Sequence, residues 1–144
     1  MKNENLSNIY LELLIKEGYS GKLVSEKIIE FEHEGKQYSI LLVDNENGKG
    51  FVHLMYCGAY HSKDDNEKAR LLYALNTVNR EKYITKTYME EKGDEIAIYT
   101  EVSILAKEPN DFFDNFPLFL DLIWTTRNYF LELMERSEKW IANI

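Results

Sequence analysis

A single cysteine, Cys57, stands in 144 residues, so no intramolecular disulfide is available and the chain suits a reducing compartment. No long apolar run is present either. The richest stretch, FFDNFPLFLDLIW, carries two aspartates and a proline, and a membrane helix needs about 20 consecutive apolar residues. The first ten residues, MKNENLSNIY, are polar and hold no apolar core of an export signal. Basic charge is scarce as well: 17 Lys and Arg face 25 Asp and Glu, a net charge of −8. No basic stripe interleaved with aromatics occurs, so phosphate backbones and anionic membranes are poor partners. The acidity serves solubility first, and it also suits a basic protein partner. There is no internal repeat, no Pro/Gly/Ser-rich linker and no low-complexity run. The expectation is a soluble, cytoplasmic chain that binds neither nucleic acid nor membrane.

What is present is a core. With 44% hydrophobic and 13% aromatic residues, the chain fits one domain that needs no disulfide or metal to hold it. Residues 4–17 place Leu6, Ile9, Tyr10, Leu13 and Leu14 on one helical face, with Asn3 or Asn5 as cap and Gly18 as terminator. The period then changes. KIIEFEH alternates, HEGK turns, QYSILLV is nearly continuously apolar, Asn47-Gly48 marks a hairpin, and FVHLMYCG is a third strand. Residues 64–83 return to helical spacing, with Asp64 or Asp65 as cap. ITKTYMEE and DEIAIYTEVSIL then form two strands around the turn EKGD. A long helical stretch from about Asn110 to Trp140 closes the chain. Pro117 belongs in a first turn, so the main helix starts near Asn115 or a short turn from Asp111 is kinked into it. The order is α-β-β-β-α-β-β-α, one α+β domain spanning 1–144, with helices packed against an antiparallel sheet.

Two features ask for an explanation. In LLYALNTVNREKY, Asn79 falls within the apolar stripe of the helix and Asn76 on its border. A buried amide without partners costs roughly 1–3 kcal/mol, so each should be bonded. The pair either locks the corner into the following strand or anchors a peptide in a groove. The second feature is aromatic crowding in the last third, where Phe112, Phe113, Phe116, Phe119, Trp124, Tyr129, Phe130 and Trp140 gather. Leu120, Ile123, Trp124, Phe130, Leu131 and Met134 look too apolar, on too many sides, for a helix with one buried face. Most of the aromatic residues should be core, since one face of a long helix must cover the sheet. Aromatic residues are also enriched at interfaces, so some of the cluster, chiefly Phe112, Phe116, Trp124 and Tyr129, is expected at a homodimer or partner surface.

Chemistry is hard to find. In HLMYCGAYH, His53, Cys57 and His61 recur every four residues, but on a strand that spacing is ~13 Å, too wide for one metal ion. Cys57 reads as a small core residue at a strand end. Neither His33, His53 nor His61 is flanked by a nucleophile turn. The carboxylate pairs Glu30/Glu32, Asp64/Asp65 and Glu90/Glu91 sit where solvated charge is expected. Gly48 and Gly50 precede a strand, not the helix N-terminus that would hold a phosphate. No catalytic residue, metal or cofactor is therefore assigned.

The run from Leu71 to Ala106 resembles the YbjN-like bacterial family. A helix carrying an asparagine pair (Asn76, Asn79) leads through a short polar step into a strand with Lys86 and Tyr88. The acidic turn Gly93-Asp94 and a second strand follow. The resemblance implies a fold similar to the type III secretion chaperones. Those are small acidic proteins, commonly homodimers, that bind an extended segment through apolar surface patches. The family is described as a sensory transduction regulator and supplies no catalytic residues. The reading is thus a non-catalytic protein- or peptide-binding domain, chaperone-like or regulatory, with partner residues Asn76, Asn79, Phe112, Phe116, Trp124 and Tyr129. An acidic immunity-type protein that neutralises a toxin is one alternative. A small ligand-binding regulator or enzyme using Cys57 and His53 is another.

Overall fold

The structure, a computed structural model, describes residues 3–44 and 50–142. Its elements are α1 (Asn3–Lys16), β1 (Ser20–Leu23), β2 (Ile28–His33), β3 (Lys36–Asp44), β4 (Gly50–Ser62) and α2 (Asp65–Glu81). They continue as β5 (Thr85–Lys92), β6 (Glu95–Ala106), α3 (Pro109–Phe113) and α4 (Phe116–Ala142). The fold is α+β, with an antiparallel sheet in the strand order β1-β2-β3-β4-β6-β5. Two elements go beyond the sequence reading: the four-residue β1 and the separate helix α3.

Local chemistry accounts for the junctions. Gly18 takes φ 97 after α1, the left-handed conformation that a C-terminal glycine supplies. Glu34 and Gly35 both have positive φ, 52 and 78, as the two-residue hairpin between β2 and β3 requires. The Asn47-Gly48 turn lies outside the described residues, as do the side chains of Asn3 and Asn5. Asp64 caps α2 by accepting from the Glu67 backbone N–H at 2.8 Å. Before α3, the Asp111 carboxylate accepts from the backbone N–H groups of Lys107 and Glu108 at 2.9 and 3.0 Å. Pro109 opens α3 and Pro117 lies in the first turn of α4, where a missing N–H costs no hydrogen bond. The main helix thus starts next to Asn115, and the short turn expected from Asp111 is a helix of its own instead of being kinked into it.

The chain divides into two compact units. Unit 1 holds Met1–Tyr56 and Val102–Leu120; unit 2 holds Cys57–Glu101 and Asp121–Ile144. In unit 1, α1 and α3 lie on the sheet face that carries Ile29, Phe31, Tyr38 and Ile40. Tyr10 of α1 meets Phe112 and Phe113, and Phe31 meets Phe116, all at ring-centroid distances of 5.5–6.0 Å. Gly21 matters here because a Cβ would come within 2.7 Å of Leu14 and 3.2 Å of Leu11. Its absence lets α1 approach β1. In unit 2, Leu71, Ala74, Leu75 and Val78 of α2 pack with Ile96 and Ile98 of β6 and Phe130, Leu133 and Met134 of α4.

Helix α4 corrects one expectation. Its buried positions are Phe116, Phe119 and Leu120 in unit 1, then Ile123, Thr126, Phe130, Leu133, Met134 and Ser137 in unit 2. Those spacings of three and four make a single stripe. Trp124 is only half-buried, and Leu131 packs against the unit 2 core from its border. Among its described residues the helix thus has one buried face, where the apolar residues had suggested more than one. Cys57 is corrected too: it lies in the middle of the 13-residue β4, half-buried, not at a strand end.

Candidate functional site

With α1 and α3 on one face of the unit 1 strands, the opposite face is left to be read from its register. Cross-strand neighbours there are Ile28, Leu41 and His53 in one row, Val43 and Phe51 in the next. Met55 pairs with Ser39, and Ser39 with Glu30. Farther out, Lys22 pairs with Glu30, Ser20 with Glu32, and Glu32 with Gln37. The face therefore has an apolar half and an acidic half. Phe51 is 39% exposed and Leu105 46%, while Ile28, Leu41, Val43 and Met55 are half-buried.

His53 sits within the apolar half, its Nδ1 2.6 Å from the Ser103 hydroxyl. Over the acidic half lies an open depression of about 320 Å³, lined by Ser20, Lys22, Glu30, Glu32 and Gln37 among others. Small-molecule sites bury most of their ligand among apolar walls. This one is shallow and charged. The arrangement can accept a chain laid across it more readily than it can enclose a substrate.

The signal for this face was in QYSILLV, and the sequence reading did not use it. A run apolar on both faces means that both sides of the strand meet something apolar. Ile40 and Leu42 turn inward and are buried, whereas Leu41 and Val43 turn outward.

Of the residues expected at a partner surface, Phe112 and Phe116 are 0% and 1% exposed. They belong to the core of unit 1, and the aromatic crowding there is packing. Trp124 is half-buried, with the Arg127 guanidinium 4.6 Å from its ring centre. Tyr129 donates its hydroxyl to Glu81, with Lys82 over its ring at 5.1 Å. That hydrogen bond raises the Tyr129 pKa, with burial and the Glu81 charge adding to it. Asn76 is exposed. Asn79 Nδ2 donates to the Thr87 carbonyl at 2.8 Å, and its Oδ1 accepts from the Thr87 N–H at 2.9 Å. The corner-locking reading thus holds for Asn79. The residue as a whole counts as exposed although both amide atoms are bonded, which corrects its placement inside the stripe. The ring of Trp140 lies outside the described residues.

Unit 2 holds two polar clusters. His61 Nδ1 meets Glu67 at 3.0 Å, and Glu67 takes Arg70 at 3.3 Å. Arg70 also donates to the Met134 carbonyl at 2.9 Å and to Ser137 Oγ at 3.3 Å. This ties α2 to α4. On the strands, Tyr88 and Tyr99 stack at 5.4 Å, flanked by Lys86 over Tyr88 and Lys92 over Tyr99. Burial pushes the Tyr88 hydroxyl up to about 12, helped by Glu101, Tyr99, Glu90 and Cys57. The stack serves as a brace for β5 on β6. Among the described residues, no three His, Cys, Asp or Glu side chains gather closely enough to hold a metal ion. No described helix is long and apolar enough to cross a membrane.

Comparison with known proteins agrees with this architecture. The family model YbjN, described as "Putative bacterial sensory transduction regulator", matches residues 12–111. Among solved structures, the chain is similar to the "Crystal structure of YbjN, a putative transcription regulator from E. coli". The TM-score is 0.59 at 13% identity, over 94% of this chain and 92% of that one. At that identity the likeness speaks for the fold. No curated protein matches the sequence. The family match spans more than two thirds of the chain, from within α1 to within α3, and with it the chain belongs to the YbjN family.

Proposed function

We propose that this chain is a non-catalytic, cytoplasmic regulator that works by holding a protein partner on the outer sheet face of unit 1. The observation that carries the reading is the half-exposed apolar patch of Ile28, Leu41, Val43, Phe51, Met55 and Leu105, beside Glu30 and Glu32. Soluble proteins keep such patches small unless something binds there. The occupant that fits is a segment of another protein, apolar at its centre and carrying Lys or Arg toward the acidic half. A regulator's family description agrees with a protein that acts by binding. A homodimer formed through the same face is the competing occupant.

The test uses fluorescein-labelled peptides with an apolar centre and either a basic or an acidic flank, read by anisotropy, alongside the solution mass of the chain. Saturable binding of the basic-flanked peptides, lost in Phe51→Glu/Leu105→Glu, is expected. Equal binding of both peptide sets, or binding untouched by the double variant, would overturn the reading. A concentration-dependent mass of two chains that collapses to one in the same variant would assign the face to self-association.

The short His53–Ser103 hydrogen bond favours a second reading, in which that pair, or His53 with Cys57, acts on a small ligand. A nucleophile needs its base within such reach, but it also needs a site that stabilises developing charge. Cys57→Ser leaves peptide binding intact if the first reading holds.

A further inference from the structure

An edge strand offers a row of outward N–H and C=O groups on which another strand adds. β5 ends the strand order, with only β6 beside it. In an antiparallel strand a residue's N–H and C=O point to the same side, and successive residues alternate. Asn79 takes both groups of Thr87 with its one amide, at 2.8 and 2.9 Å. Those are the two bonds that a residue of a neighbouring strand exchanges with its partner. Thr87 therefore faces away from β6, and Asn79 stands where the next strand would be. Four residues on, Glu91 is held by Lys63 at 3.8 Å and Lys68 at 3.5 Å, so the start of α2 is tied to the far end of the same edge.

The strand behind this guard is self-complementary. In an antiparallel pairing of two copies centred on Tyr88, Thr87 of one chain meets Met89 of the other, and both residues point outward. In that register Lys86 lies opposite Glu90, and opposite charges across strands are favourable. We propose that Asn79 is an edge guard. Its amide occupies the place of a neighbouring strand and keeps β5 of one chain from pairing with β5 of a second copy.

The experiment compares Asn79→Ala with the unaltered chain, by solution mass against concentration and by hydrogen exchange at Thr87. The Thr87 amide should exchange faster in dilute Asn79→Ala, and the mass should rise above that of the unaltered chain as concentration increases. Adding Met89→Pro should return the mass to its original value, because proline has no N–H to give and an edge strand tolerates it on its outward side. An unchanged Thr87 exchange rate, an unchanged mass, or a mass rise that Met89→Pro does not reverse would each overturn the proposal. Should Asn79→Ala lose its native circular dichroism, Asn79→Asp takes its place. It still accepts from the Thr87 N–H but has no donor for the Thr87 carbonyl, and its mass must rise with concentration for the proposal to stand.

Discussion

Thr85 on β5 and Thr126 on α4 meet hydroxyl to hydroxyl at 2.7 Å, both buried within unit 2. Each is the other's answer to burial, since a hydroxyl taken from water needs a partner. Thr126→Val should therefore destabilise the protein by ~1–3 kcal/mol, because it strands the Thr85 hydroxyl. Thr85→Val/Thr126→Val should lie close to the unaltered chain, since valine keeps the shape and leaves nothing unpaired. Urea unfolding of both single variants and the pair gives the coupling directly. Additive losses would mean that the two hydroxyls find other partners.

Asp64 is exposed and still has a lowered pKa. The Ser62 hydroxyl donates to it at 2.5 Å, and the Glu67 backbone N–H adds a second bond as α2 begins. A carboxylate held below its unfolded value of about 3.9 stabilises the fold above that pH, and the gain is lost as pH falls through the folded value. Urea midpoints should therefore fall with acidification below about pH 4. In Asp64→Asn the midpoint should begin lower and lose that part of the acid slope. An identical slope in the variant would place the acid sensitivity elsewhere.

Tyr10 behaves in the opposite sense. Its ring is buried against Phe112 and Phe113, and burial pushes its hydroxyl up to about 12, with the Asp111 charge adding to it. The unfolded chain gives up that proton near pH 10. The contribution of neutral Tyr10 is thus complete below pH 10 and is lost as pH rises toward about 12. Tyr10→Phe should flatten the alkaline fall of the urea midpoint. It should also remove one late-titrating tyrosinate from the ultraviolet absorbance. Tyr88, raised to about 12 chiefly by burial, remains in the variant as an internal reference.

What the sequence could and could not say follows from the range of each interaction. Local signals served well. Asp64 as cap and Gly18 as terminator each depend on residues a few positions apart, and both stand. β1 was missed because its four residues, SGKL, show no alternation. It exists through its pairing with β2 and the close approach of α1 over Gly21. Sequence alone expects most aromatic residues of the last third in the core and Phe112, Phe116, Trp124 and Tyr129 at a surface, because composition cannot tell a ring in a core from a ring at an interface. Only the distant partners of Phe112 and Phe116, Tyr10 and Phe31 among them, decide it. Asn79 needed the strand order. Its role depends on β5 being an edge, and that follows from β6 pairing with β4, a relation with no local trace.

Arg70 offers the sharpest test of how α2 is held to α4. Its guanidinium, about three-quarters buried, bonds the Met134 carbonyl and Ser137 Oγ on α4 and Glu67 on α2. Its distance to Glu138 is 3.9 Å, and that carboxylate is largely exposed, so this ion pair contributes little. The planar fork reaches three acceptors at once, which a lysine ammonium on a flexible stem does not reproduce. Arg70→Met should cost about 2 kcal/mol, in the range for hydrogen bonds that involve a charged group. Arg70→Lys should recover less than half of that. Equal stability of Arg70→Lys and the unaltered chain in urea unfolding would show that charge, not the geometry of the fork, holds the two helices. Full tolerance of Arg70→Met would leave the joint to the apolar contacts of Leu71, Ala74 and Leu133 alone.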